Sequence, residues 1–181
     1  MLHRTIITLA AISMLVVFAA CAGNNAVTTN VSPFSSPAAA SQASAKLPTD
    51  IVRASASEIE LRAGGTGEAT VQLTIADGYH VNANPATHSF LIPTKLDVTA
   101  ENGITTGEPV YPAPLTKKFA FDEKPLAVYE GATTIKLPVT AGAATPKGAH
   151  TLRAKLRVQP CNDDACFPPR TVETSIPVRI N

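Results

Sequence analysis

The chain has 181 residues, enough for one ordinary domain with flexible ends. Its 15 Lys+Arg and 14 Asp+Glu leave a net charge of +1, which excludes the basic face that a nucleic-acid partner requires. Hydrophobic residues at 45% are too many for a wholly disordered chain, and 15 prolines are too many for a helical bundle.

Met1-Leu2-His3-Arg4 is a short basic start, followed by an uncharged apolar run over residues 6–20. A membrane-spanning helix requires about 20 apolar residues, so the run suits a signal-peptide core better. It ends in Phe18-Ala19-Ala20-Cys21. Small residues before a cysteine resemble a bacterial lipobox, so residues 1–20 are expected to be a lipoprotein signal peptide and Cys21 the lipidated residue. The alternative is an ordinary secretory signal that leaves Cys21 as a free thiol, a liability in an exported protein. Ala22 follows the cysteine instead of Asp. By the usual Gram-negative sorting convention, that places the anchor in the outer membrane, facing the periplasm.

Residues 21–50 are mostly Ala, Ser, Thr, Asn and Pro, and show no persistent apolar period. They read as a lipid-anchored flexible linker of roughly 25–30 Å root-mean-square reach. Only Arg4, Lys46 and Asp50 are charged before residue 51. Removing two from the 15 basic and one from the 14 acidic residues leaves 13 of each in residues 51–181. That segment is normally charged and long enough for one real core.

Its apolar period is two. Val71, Leu73 and Ile75 alternate with polar residues, as do Leu152, Ala154, Leu156 and Val158. The alternation returns at Val172, Thr174, Ile176, Val178 and Ile180. Shorter strands are predicted at 51–55, 58–62, 79–82, 95–99, 117–121, 127–129 and 134–139. Turn signals separate them at Gly64-Gly65, Asp77-Gly78, Asn102-Gly103, Glu130-Gly131 and Lys147-Gly148. This spacing predicts an all-β, immunoglobulin-like antiparallel β-sandwich over 51–181.

Cys161 and Cys166 lie between the two cleanest strands, at the end of an expected hairpin. There their Cα atoms can come within the roughly 4.4–6.8 Å of a disulfide. Closing so short a loop contributes only about 2 kcal/mol. A short bridge in a proline-restrained turn also tends to be labile. Three readings stay open on physical grounds: a structural disulfide, a redox pair, or a metal site joining the cysteines to His80 and His88.

Upstream, residues 77–88 place Tyr79, His80, Asn82 and His88 between strand signals. Such a polar loop either lines a site or is merely satisfied within itself. Lys117-Lys118-Phe119-Ala120-Phe121 sets two rings in a segment with few apolar neighbours. They fill the core, or one covers a reactive group.

Several segments are similar to the N-terminal periplasmic domain of DsbD, the thiol:disulfide interchange protein. They are Asp77-Gly78-Tyr79-His80-Val81, Phe90-Leu91-Ile92-Pro93-Thr94-Lys95-Leu96, Val110-Tyr111-Pro112, Lys118-Phe119, Val128-Tyr129-Glu130-Gly131 and the stretch from Gln159 through Cys161 and Cys166 to Pro168-Pro169. The resemblance runs from about Ile51 onward. It implies an immunoglobulin-like fold whose cysteine pair exchanges disulfides with thioredoxin-like envelope proteins, with no cofactor. Cys166 would bond the partner, Cys161 would resolve the mixed disulfide, and Phe119, or else Phe121, would cap the pair. His80, Asn82 and Phe167 would line it. A protonated His80 beside the pair would favour a thiolate.

The departures are specific. The best-known member spaces its cysteines by five residues where this chain has four, and carries tyrosines near His80 and Asn82. The sequence also shows neither the membrane electron-conducting domain nor the thioredoxin domain of that protein, so a separate membrane electron donor is expected. The competing functions are a non-catalytic immunoglobulin-like envelope binding module and a periplasmic metal-binding protein.

Overall fold

The structure is a computed structural model that describes residues 50–181. The expected signal peptide, the lipidation site Cys21 and the linker up to residue 49 lie outside the described residues. In chain order the strands are β1 (Val52–Ala56), β2 (Ile59–Leu61), β3 (Thr66–Ile75), β4 (His80–Asn82), β5 (Lys95–Thr99), β6 (Ile104–Thr106), β7 (Leu115–Lys117), β8 (Leu126–Tyr129), β9 (Ala132–Ala141), β10 (Gly148–Val158), β11 (Pro160–Cys161) and β12 (Arg170–Ile180). No helix occurs among the described residues. The all-β, immunoglobulin-like sandwich expected from the sequence is therefore observed.

Two sheets make the sandwich, in the orders β1-β3-β9-β6 and β2-β12-β10-β5. The first is built on β3 and β9, whose register pairs Val71 with Ile135 and Ala69 with Leu137. The second is built on β10 and β12, which pair Leu152 with Ile176 and Leu156 with Val172. Side chains directly opposite across a ladder share a face, so these pairs all point inward. They meet in one core cluster drawn from both sheets, including Val71, Leu73, Ile135, Leu137, Leu152, Leu156, Ile176 and Ile180. Each such side chain contributes about 1.5–3 kcal/mol relative to exposure. Most of the exposed positions between them are Lys, Arg, Glu, Gln or Thr, which makes the alternation clean. All contacts between neighbouring strands are antiparallel except β2 with β12, which run parallel.

Every predicted turn contains a glycine with positive φ. At Asn102-Gly103 both residues are left-handed, at 52° and 78°. Glu101 and Ile104 exchange backbone hydrogen bonds across them. A two-residue loop with both φ positive is the tight hairpin that Asn-Gly favours.

A third sheet, in the order β11-β4-β8-β7, lies apart from the sandwich ladders and carries the cysteine loop. One expected strand is corrected here. The sequence predicts a strand over 117–121, but β7 ends at Lys117 and the chain turns over 119–122, where Asp122 N–H meets Phe119 O. The alternation of Lys118, Phe119 and Ala120 imitates a strand, whereas the Phe119 ring packs in a satellite cluster with Leu91, Leu126 and Val128.

Candidate functional site: the Cys161–Cys166 hairpin

β10 and β12 pair without interruption from Gly148 opposite Ile180 to Val158 opposite Arg170. Beyond that point, Gln159 and Pro160 face three residues, Phe167, Pro168 and Pro169, before Cys161 meets Cys166. This is a bulge, and Pro168 and Pro169 on its longer side explain it, because neither can donate to a ladder. The slip redirects the chain out of the sandwich, and Pro160-Cys161 pairs instead with β4.

Phe167 N–H donates to Pro160 O and Asn162 N–H donates to Ala165 O, each at 2.9 Å. These bonds flank Cys161 and Cys166 and leave the two cysteines as a non-hydrogen-bonded pair, the closer of the two kinds in an antiparallel ladder. Their Cα atoms are 4.0 Å apart and the sulfurs are joined in a disulfide. The separation is slightly below the range expected from the sequence because the residues face each other directly. The Asn162 side chain closes the turn, with Oδ1 accepting from Asp164 N–H at 3.0 Å and Ala165 N–H at 2.8 Å. Asn162 was not singled out from the sequence, although Asn at the head of an Asn-Asp-Asp turn is a usual signal for this motif.

Cys161 is fully buried and Cys166 is half-buried, so the two sulfurs are not equivalent. Cys161 belongs to neither apolar cluster. The disulfide runs from a fully buried sulfur at Cys161 to a half-buried residue at Cys166.

His80 of β4 lies opposite Cys161. His80, Cys161 and Cys166 thus form one row across three adjacent chain segments, with side chains on a common face. His80 is 1% exposed, and its Nε2 has no hydrogen-bond partner among the described residues. The Phe119 ring stacks on its imidazole at 4.1 Å, and Phe121 stacks on Phe119 at 5.3 Å. Phe119 is buried and Phe121 is partly exposed. Lys117 Nζ lies 5.7 Å from the Phe119 centroid and is paired with Glu130 Oε1 at 2.6 Å.

Burial pushes the His80 imidazole below its ordinary value of 6.5. Glu130 and Asp163 partly offset this, while Lys117 adds to it. Desolvation favours the neutral ring. A cleft of about 390 Å³ opens beside it, lined by Asp77, Tyr79, His80, Lys117, Glu130 and Asp163.

Asn82 is also buried and serves the scaffold. Its Nδ2 donates to Ile92 O at 3.1 Å and to Gln159 Oε1 at 3.2 Å. The same Gln159 oxygen accepts from Ile92 N–H, and Gln159 Nε2 donates to Phe167 O. Gln159 thereby ties the exit of the cysteine hairpin to β4 and to the segment before β5. Phe167 is half-buried, 6.2 Å from the Tyr79 ring. His88 is elsewhere engaged, with Nε2 3.1 Å from Asp122 Oδ2 and its ring stacked on Phe90. No group of three or more His, Cys, Asp or Glu side chains is arranged to hold a metal among the described residues. The metal reading that joined His80 and His88 to the cysteines has no geometric support here.

The family described as thiol:disulfide interchange protein DsbD, N-terminal, matches residues 49–177. The chain belongs to that family. It therefore carries a domain of the thiol:disulfide interchange type. Among solved structures, the N-terminal periplasmic domain of ScsB from Proteus mirabilis is similar, at 13% identity and a TM-score of 0.43. That match covers 67% of this chain and 44% of the other, so the chain spans less than half of its length. A type I cohesin–dockerin complex from Clostridium thermocellum matches at 10% identity and a TM-score of 0.40, covering 72% of this chain and 95% of the other. The major pilin subunit BcpA of Bacillus cereus matches at 10% identity and a TM-score of 0.40, covering 72% and 40%. No curated protein sequence matches the chain.

Proposed function

We propose that the DsbD-type domain passes reducing equivalents between thioredoxin-like proteins of the cell envelope through Cys161 and Cys166. The observation that carries this reading is the asymmetric disulfide, half-buried at Cys166 and fully buried at Cys161. A bridge that closes only six residues adds about 2 kcal/mol by loop closure, so its value lies in being exchanged.

A donor thiolate attacks Cys166 Sγ, the Cys161–Cys166 bond breaks, and Cys161 leaves as a thiolate. The donor's second thiolate then attacks the donor sulfur of the mixed disulfide and releases Cys166. The donor is oxidised by two electrons and the domain reduced by two. In the onward step the Cys166 thiolate attacks an acceptor disulfide, and Cys161 displaces the acceptor. Phe119, stacked over the row that holds the pair, shields it from small thiols until a partner moves the ring. We assign the electron supply to a membrane donor, the location to the periplasmic face of the envelope, and the anchor to a lipid on Cys21, exposed by signal cleavage.

The test is mixed-disulfide capture in the envelope with Cys161→Ala. Adducts through Cys166 to thioredoxin-like proteins are expected. Their absence, with the variant folded, would leave a binding module with a structural bridge.

A further inference from the structure

The buried edge of His80 has no role in the exchange just described. We propose that His80 Nε2 is the proton acceptor for Cys161 when that thiol resolves a mixed disulfide. This deepens the proposed exchange function and rests on it for its biological use.

Three observations converge. His80 is the direct cross-strand neighbour of Cys161 on the face that holds the pair, where opposed Cβ atoms lie roughly 4.5–5.5 Å apart. Its Nε2 is buried without a partner among the described residues. An orphaned buried nitrogen costs about 1–3 kcal/mol, so it is retained where something offsets that cost. Phe119 lies against the flat face of the ring, which leaves the in-plane nitrogen free for hydrogen bonding.

The groups around His80 suit a base that becomes charged only during the reaction. Burial keeps the ring neutral, hence able to accept. Glu130, from the turn after β8, and Asp163, from the cysteine turn, favour the imidazolium once formed. Lys117 at the end of β7 opposes it, but its ammonium is already paired with Glu130. Asp77 lines the same cleft.

In the step itself the Cys161 S–H proton moves to His80 Nε2. The thiolate attacks Cys166 Sγ, the Cys161–Cys166 bond forms, and the bond from Cys166 to the partner sulfur breaks. The partner leaves as a thiolate and takes up the proton from His80, directly or through water. Electrons balance, because the domain pair is oxidised as the partner disulfide is reduced.

The experiment uses the reduced full chain in a Cys21→Ala background, so that the pair supplies the only thiols, and the aromatic disulfide 5,5′-dithiobis(2-nitrobenzoate). Attack by Cys166 releases one thionitrobenzoate, and resolution by Cys161 releases the second, so the two phases separate the two thiols. His80→Phe keeps a ring to stack on Phe119 and removes the base, and His80→Gln keeps a polar side chain at the position. Both variants are expected to slow the second phase at least a hundredfold at pH 7, the low end of the usual range for general base catalysis. The pH profile of that phase should move toward the alkaline range of a free thiol, with the first phase unchanged. A second-phase profile that superimposes on wild type in both variants would overturn the proposal, as would equal slowing of both phases. The reagent needs no biological partner, so a failure here is separate from a failure to capture thioredoxin-like adducts.

Discussion

Phe119 lies nearly parallel to His80, its ring 4.1 Å from the imidazole and 21° from coplanar. The stack joins a turn after β7 to β4, two strands away across β8 in the sheet. It lays an apolar ring over one face of the imidazole opposite Cys161.

Removing that cover should expose the pair. Phe119→Ala is expected to raise the rate of disulfide reduction by glutathione roughly tenfold, because exchange rates follow access to sulfur. The ring is buried against Leu91, Leu126 and Val128, so the variant should also lose about 3 kcal/mol. Phe121→Ala, at a partly exposed position, should stay within about 1 kcal/mol of wild type. Reduction kinetics and denaturant melts of the two variants check the contrast.

The disulfide itself should matter little to folding. Replacing both cysteines, Cys161→Ala with Cys166→Ala, should cost about 2 kcal/mol, the entropy of closing a six-residue loop. A larger loss with collapse of the sandwich would mark the bridge as structural. Urea melts of oxidised, reduced and double-variant protein give the measurement.

Gln159 should act on the hairpin from behind. Gln159→Leu removes the acceptor shared by Asn82 Nδ2 and Ile92 N–H and the donor to Phe167 O. Asn82 keeps its bond to Ile92 O, so the main cost is the half-buried Ile92 amide, about 1 kcal/mol. Amide exchange at Ile92 and Phe167 should quicken while the β3–β9 ladder stays protected.

Stability should depend on pH through His80. Its folded value lies below the unfolded 6.5, so between the two the unfolded chain binds more protons. The neutral ring's contribution is fully present above about 6.5 and is lost as pH falls from there toward the folded value. Asp122 behaves likewise at lower pH, since the Lys124 amide and then His88 hold its carboxyl below 3.8. Its contribution disappears as pH falls through that depressed value. Thermal melts across this range should show a near-neutral fall that His80→Phe abolishes and an acid fall that it leaves in place.

Much of this was legible before any coordinates. The alternation over β10 and β12 named both the strands and their buried faces, because one side of each ladder is apolar and the other charged. β5 fell at its predicted residues, and every predicted turn holds a positive-φ glycine. The short strands β6, β7 and β11 were missed, since two or three residues carry no period. Phe119 and Phe121 were placed in a strand because period-two spacing does not reveal whether a ring meets a sheet or a neighbouring loop. The Asn82–Gln159 bond spans 77 residues and has no local signature. His80 was flagged, but the sign of its charge was not readable, because burial is a tertiary property.

The bulge opposite Gln159 and Pro160 isolates what lies beyond it. Residues gained or lost in the Asn162–Ala165 turn change the tip and leave the β10–β12 register alone. Such a tip is graftable: cysteine spacing could drift by a residue while the sandwich beneath it stays fixed, as when interchangeable tool heads share one shank.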